Sequence, residues 1–219
     1  MATPLVSICL PNLNTRPFLE ERMESILHQT LGNWELVVGD SYSDDGSWDF
    51  FQKFKSDPRV KLHQIPREGI YAGWNECLRR ATGEFIYIAT SDDTASPNLL
   101  ARLAAPLLRF PEISIAVCDY QEIDEDSKPL QTQSNKSGKR AFLGEWLSVP
   151  SIRSGSTEFL LHATMGTIWH TMTAVLFRRS LLERVGYFRT DRVSQADYEW
   201  TLRASLASDI AFVPGQLAT

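Results

Sequence analysis

Long apolar runs, cysteine and excess charge of one sign are all scarce in this sequence. No apolar run approaches the roughly 18 residues that a membrane span needs, so a spanning helix is not expected, while peripheral membrane contact stays open. There are three cysteines, Cys9, Cys77 and Cys118. The number is odd, the spacing is not that of a metal site, and each sits in an apolar stretch. They read as small buried hydrophobes, not as a disulfide framework, and a reducing cytosol is the expected location. Met1 to Leu10 has no basic segment and only a strand-length apolar run, which is not the pattern of a signal peptide. Basic residues number 22 against 27 acidic, a net charge of -5. That balance lacks the electrostatic footprint of a nucleic-acid partner. An anionic substrate would have to be held by local groups or by a metal. No glycine-rich basic loop is present for a triphosphate, and no internal repeat is visible.

What is there has the make-up of an ordinary globular protein, 43% hydrophobic and 22% charged over 219 residues. The length fits one domain with a sizeable core. Leu5 to Leu10, Trp34 to Val38, Val60 to Ile65, Phe85 to Thr90 and Ser114 to Cys118 read as buried strands. Between them, helices are expected from about Phe18 to Thr30, from Ser47, from Ile70 to Ala81, and from a Ser96 cap with Pro97 at its first position to about Phe110. The alternation predicts an α/β fold with a mostly parallel sheet and helices on both faces. The rhythm breaks after Asp119. Asp124 to Arg140 is polar and reads as a hairpin turn followed by a mobile loop that could close over a substrate. A strand from Ile168 to Phe177, helices at Ser180 to Val185 and Ala196 to Leu206, and a strand at Ile210 to Val213 complete the reading.

In open parallel sheets, ligands sit beyond the carboxyl ends of the strands. Three strands here end in polar groups: Pro11 to Asn14; Asp40, with Asp44 and Asp45 close behind; and Thr90, Ser91, Asp92 and Asp93. Carboxylates gathered on one rim repel each other unless a cation or a donor-rich ligand lies between them. Hard oxygen ligands select Mg²⁺ or Mn²⁺, bound partly through substrate phosphates. Asp44, Asp45 and Ser47 also fit a turn that caps the next helix. Asp92 and Asp93 have no such task if Ser96 is the cap. Ser194 and Asp197 have capping-box spacing, with Asp where Glu or Gln is usual. His162 and His170 have no third ligand at zinc spacing. From the residues alone, the chain is an α/β sheet with an acidic, metal-binding rim.

The order of these pieces resembles the family-two glycosyltransferases of GT-A fold, a Rossmann-like architecture. The opening strand and loop from Val6 to Asn14 are similar to the family's own. So are the stretches Ser25 to Thr30, Trp34 to Asp40 and Ser43 to Ser47, and the segments Gly69 to Asn75 and Ala81 to Ile86. Ser91 to Asp93 falls at the family's acidic motif, and Phe177 to Phe188 with Ala196 to Arg203 resembles its acceptor half. The resemblance spans nearly the whole chain. It implies one domain, 1–219, with a nucleotide-sugar-binding half in 1–119 and an acceptor-binding half in 120–219. It implies an inverting transferase that moves a sugar from a nucleotide-diphosphate donor to a carbohydrate or lipid-linked carbohydrate acceptor, in polysaccharide or glycoconjugate assembly, in the cytoplasm or at the inner face of the membrane. Carried over by position, Pro11, Asn14, Asp40, Asp44, Asn75 and Ser91 would bind the nucleotide, with Asp40 on the base. Asp92 would hold Mn²⁺ or Mg²⁺, Asp93 would touch the donor sugar or help place the metal, and Asp197 would be the general base. Two positions depart from the family pattern: Thr90 stands where the acidic motif commonly begins with Asp, and Ala196 where a Glu often precedes the base. Family members also commonly continue past the last strand, so the chain is expected to be a domain of a longer protein. The competing readings are a nucleotide-sugar-binding module without transferase activity, which Thr90 permits, and a nucleotidyltransferase.

Overall fold

A computed structural model describes residues 3–124, 126–130, 143–166, 169, 171–191 and 194–219. Strands β1 (Val6–Asn12), β2 (Trp34–Asp40), β3 (Val60–Gln64), β4 (Phe85–Ile88) and β5 (Ile115–Tyr120) are linked by α1 (Leu19–Leu27), α2 (Ser47–Gln52), α3 (Ile70–Arg80) and α4 (Leu99–Arg109). Beyond β5 lie β6 (Ser151–Arg153), α5 (Gly155–Met165), β7 (Val175–Arg178), α6 (Leu181–Val185), α7 (Ala196–Ala207) and β8 (Ile210–Ala218).

The strands form one sheet in the order β3-β2-β1-β4-β7-β5-β8-β6. The pairs β1–β2, β1–β4, β2–β3 and β5–β8 are parallel. β7 runs antiparallel between β4 and β5, and β6 runs antiparallel along β8. All seven residues of β2 are buried, as expected of a strand covered on both faces. Successive residues of β1 point to opposite faces, so Ile8 joins one core and Cys9 the other. The first core packs Leu19, Met23 and Ile26 of α1, Phe51 of α2 and Leu103 of α4. The second packs Trp74 and Cys77 of α3, Leu181 of α6 and Trp200 of α7. The expected α/β sheet with helices on both faces is therefore present. The three cysteines are free and buried, and burial pushes the Cys77 and Cys118 thiols up to about 12, so they pack as apolar groups.

Glycine matters at one close approach. A Cβ on Gly39 would lie 2.7 Å from Cys77 Sγ and 3.0 Å from Ile65 Cδ1. Its absence lets α3 lie directly on β2.

Some boundaries differ from the sequence reading. Ser96 is not the cap of α4: the helix begins at Leu99 with Asn98 at the cap position and no side-chain capping bond. Ser96 Oγ instead donates to Asn98 Oδ1 at 2.7 Å. Likewise Ser194 does not cap α7. Gln195 occupies that position in a left-handed conformation, φ 69, again without a side-chain bond. The turn after β5 is a hairpin, with Ile123 bridged to Pro129; the loop expected beyond it, 131–142, lies outside the described residues. β6 and α5 are not foreseen by periodicity. The Ser154 side chain caps α5 by accepting from the Thr157 amide, but the apolar residues Phe159, Leu160 and Leu161 are consecutive and mark no single face.

Candidate active site

The parallel register aligns the ends of β1 and β2, setting Asn12 beside Asp40. A cavity of about 400 Å³ opens beyond these ends and that of β4. Its wall is drawn from the β1 end (Pro11, Asn12, Leu13, Thr15), the β2 end (Ser41), the turn into α3 (Arg67, Gly69, Ile70, Gly73, Trp74) and the β4 end (Thr90, Ser91, Asp92). Gly69 sits at φ 97, a left-handed backbone that glycine adopts without strain.

Asp40 does not face this space. It is fully buried. Its Oδ1 accepts from Asn12 Nδ2 at 2.7 Å and from Ser43 Oγ at 2.6 Å, and its Oδ2 accepts from the Ser43 amide at 2.9 Å. Asp40 thus ties the two loops together, and Ser41 is the residue of that strand end that lines the cavity. Asn14 and Asp44 pair with each other at the exposed rim, with Asn14 Nδ2 donating to Asp44 Oδ1 at 2.9 Å and the Asp44 amide donating to Asn14 Oδ1 at 3.0 Å. Arg67 locks this rim, donating from Nε to the Ser41 carbonyl at 2.8 Å and from Nη2 to the Tyr42 carbonyl. Asp45 follows the structural alternative: it accepts from the amides of Ser47 and Arg16.

Asn75 is also placed differently from expectation. It is buried, and its side chain donates to the Phe188 carbonyl at 2.8 Å and accepts from the Phe188 amide at 3.0 Å. Both ends of the amide are thereby occupied, away from the cavity wall.

Ser91 and Asp92 stand as expected on the wall, Asp92 exposed. Asp93 has unforeseen partners. Its Oδ2 accepts from Thr90 Oγ1 at 2.5 Å, Thr173 Oγ1 at 2.8 Å and Thr171 Oγ1 at 3.0 Å. Thr90 therefore supplies a hydroxyl donor where the family commonly has a further carboxylate. The gathering of rim carboxylates is corrected accordingly. Among the described residues no three His, Cys, Asp or Glu side chains come together as a ligand set, because Asp40, Asp44, Asp45 and Asp93 each have donors of their own. Among the described residues, Asp92 is the one carboxylate on the cavity wall. That arrangement fits a cation held by one side chain together with substrate phosphates, and it does not fit a cage made by protein alone.

Asp197 lies at the second residue of α7. Its Oδ1 accepts from Tyr71 Oη at 2.8 Å. Tyr71 lies on α3 between Ile70 and the Trp74 turn, both of which line the cavity. His162 is buried with its ring edge-on to Trp169, 4.7 Å between centroids. His170 lies outside the described residues.

The order of the elements and the rim they build match a known family. Residues 7–186 match the description "Glycosyl transferase family 2". The chain belongs to that family. Among sequence relatives, the Mycobacterium tuberculosis protein MT1568 is 31% identical over 220 residues, covering 99% of this chain and 67% of that protein. Bacillus subtilis EpsJ, an uncharacterized glycosyltransferase, is 28% identical over 186 residues, 83% of this chain and 50% of its own length. TuaG of the same bacterium, named as a putative teichuronic acid biosynthesis glycosyltransferase, is 34% identical over 129 residues, 58% of this chain and 51% of its own. The chain thus spans from half to about two thirds of the length of these relatives. Among solved structures, residues 1–349 of Staphylococcus aureus TarS align with a TM-score of 0.76 at 19% identity, over 97% of this chain and 59% of that one. The Pyrobaculum calidifontis mannosyltransferase PcManGT aligns with a TM-score of 0.71 at 23% identity, over 98% and 56%. These two likenesses are of fold. The family's GT-A sheet is the one described above.

Proposed function

We propose that the protein is an inverting glycosyltransferase that moves a sugar from a nucleoside-diphosphate donor to an acceptor hydroxyl. The observation that carries this is a strand-end cavity bearing the carboxylate of Asp92 and walled in part by α3, the helix whose Tyr71 holds a second carboxylate, Asp197. The TarS fold was solved with UDP and with UDP-GlcNAc, and PcManGT with GDP-Man and Mn²⁺, which supports a nucleotide sugar as donor. The name of TuaG supports polysaccharide assembly as the setting, with a carbohydrate or lipid-linked carbohydrate as acceptor.

In this reading residues 1–119 bind the donor and 120–219 the acceptor. Pro11, Ser41 and Arg67 face the nucleoside, and Asn14, Asp44 and Asp40 keep that rim in shape. Ser91 and Asp92 face the diphosphate. Mn²⁺ or Mg²⁺, held by Asp92 and the phosphates, would neutralise charge on the leaving group. Asp93, oriented by its three threonines, meets the donor sugar. Asp197 takes the acceptor proton as the hydroxyl oxygen attacks the anomeric carbon. The bond from that carbon to the diphosphate breaks, and its electron pair leaves with the diphosphate. The transition state has oxocarbenium character, as in glycoside hydrolysis. No described helix is long and apolar enough to cross a membrane; the free buried thiols support a cytoplasmic site of action, beside the membrane where a lipid-linked acceptor would lie.

The test is a thermal-shift panel of nucleoside diphosphates and nucleotide sugars, with and without Mn²⁺. Bound ligand raises stability by mass action. One nucleotide family should stabilise the protein, more so with Mn²⁺; equal response to none would overturn the assignment.

A further inference from the structure

We propose that Tyr71 is the positioning residue for the base, occupying Asp197 Oδ1 so that Oδ2 takes the acceptor proton. The inference deepens the reading of Asp197 as base and rests on it. The hydrogen bond joins α3 to α7 across 126 residues of sequence. Among the described residues, no hydrogen-bond donor other than Tyr71 is found on the Asp197 carboxylate.

The Tyr71 ring is held on two sides. Trp74 meets it edge-on at 5.3 Å, and Phe188 stacks on it at 6.3 Å with an interplanar angle of 12°. Phe188 stacks in turn on Trp200 at 5.0 Å, one turn along α7 from Asp197, and its backbone is clamped by Asn75. The phenol has little freedom to swing away. Burial first, and then the neighbouring Asp197, raise the Tyr71 pKa above its ordinary value. The hydroxyl therefore stays protonated through the neutral range and keeps a proton to donate to the carboxylate. It fixes one carboxylate oxygen and leaves the other with its lone pairs. Asp197 enters α7 two residues after Gln195, whose side chain makes no capping bond. Without the phenol, its carboxylate would lose the hydrogen bond that sets its rotamer.

The placement also sets the base relative to the donor. Ile70 and Trp74 line the cavity, and Tyr71 lies on the same stretch of helix. One rigid element thus carries both the donor wall and the group that aims the base. Misplacing a reacting group by about 1 Å costs on the order of 100-fold in rate. During transfer the acceptor O–H bond breaks, its proton goes to Asp197 Oδ2, and Tyr71 keeps its own proton.

The experiment is a double-mutant cycle on Tyr71→Phe and Asp197→Asn. Phenylalanine keeps the ring contacts and removes only the hydroxyl. Release of nucleoside diphosphate is followed with a panel of UDP-, GDP- and dTDP-sugars and Mn²⁺, and nucleotide affinity is measured by calorimetry. Tyr71→Phe should lower kcat by roughly 10- to 100-fold, with nucleotide affinity and donor KM unchanged. In the Asp197→Asn background the same change should cost nothing further. Full turnover by Tyr71→Phe, where Asp197→Asn has lost it, overturns the positioning role and leaves the base in place. Losses that multiply show that Tyr71 acts independently of Asp197 and also overturn it. Full turnover by Asp197→Asn overturns the base reading itself, and the inference with it.

Discussion

The side-chain amide of Asn75 clamps the backbone of Phe188 at both its amide and its carbonyl, 113 residues away in sequence. This joins the helix that walls the cavity to the segment that leads into α7. A buried amide with both ends occupied is costly to remove, because its partners are left unsatisfied.

Asn75→Ala should therefore act on stability. Urea unfolding should show a loss of about 1–3 kcal/mol, while nucleotide affinity in the folded protein barely changes. Normal stability with lost nucleotide binding would return Asn75 to the role of a ligand.

Asp40 should influence every nucleotide alike. Asp40→Ala removes one acceptor from Asn12 Nδ2 and the acceptor of the Ser43 amide and hydroxyl, so the loops that carry Pro11 and Ser41 lose one of the bonds that join them. Calorimetry should show UDP and GDP weakened together, with their ratio kept. A change confined to one base would place Asp40 on that base.

Asp92 should carry the metal dependence. Asp92→Ala should fold normally and bind nucleoside diphosphate in chelator as the wild type does, but gain nothing from Mn²⁺. An equal Mn²⁺ enhancement in both proteins would move the cation elsewhere.

Acid should destabilise the sheet through Glu35. This buried carboxylate accepts from Ser7 Oγ at 2.5 Å, from the Thr82 amide at 2.7 Å and hydroxyl at 2.8 Å, and from Lys61. Burial works to raise its pKa, but the hydrogen bonds from Lys61, Ser7 and Thr82 outweigh it, and the net shift is downward. A depressed carboxylate contributes stability above its unfolded value, about 4.3, and that contribution is lost as pH falls through the folded value. Denaturation curves from about pH 7 down to pH 3 should steepen in the acid range for the wild type and flatten for Glu35→Gln. Parallel curves would show that Glu35 is not a source of the acid response.

Much of this was legible in the sequence, and the reasons are local. Continuous apolar strands and one-faced helices such as α3 announce themselves by periodicity, so the first half of the fold and its rim could be read directly. The insertion of β7 between β4 and β5 could not, since long-range pairing leaves no mark on local pattern. The same holds within the site. Ser91 and Asp92 follow the end of β4 and lie on the cavity wall, a position that the strand end alone announces. Asp40 and Asn75 have the right residue types at the right places, but their partners, Ser43 and Phe188, are chosen by packing. Two of the three threonines on Asp93, Thr171 and Thr173, come from one distant segment, and Ser41 and Arg67 are polar residues of two separate turns with no spacing to single them out.

The most direct measurement compares wild type and Asp197→Asn for release of nucleoside diphosphate from the nucleotide sugar that stabilises the protein, with Mn²⁺ and an acceptor sugar. An amide can still accept a hydrogen bond but cannot take up the acceptor proton at neutral pH, and general-base catalysis is worth about 10²–10⁴ in rate. The account predicts turnover by the wild type, a loss of that size in the variant, and equal nucleotide affinity in both. Equal turnover by the two proteins, or tight binding with no turnover by either, would contradict it.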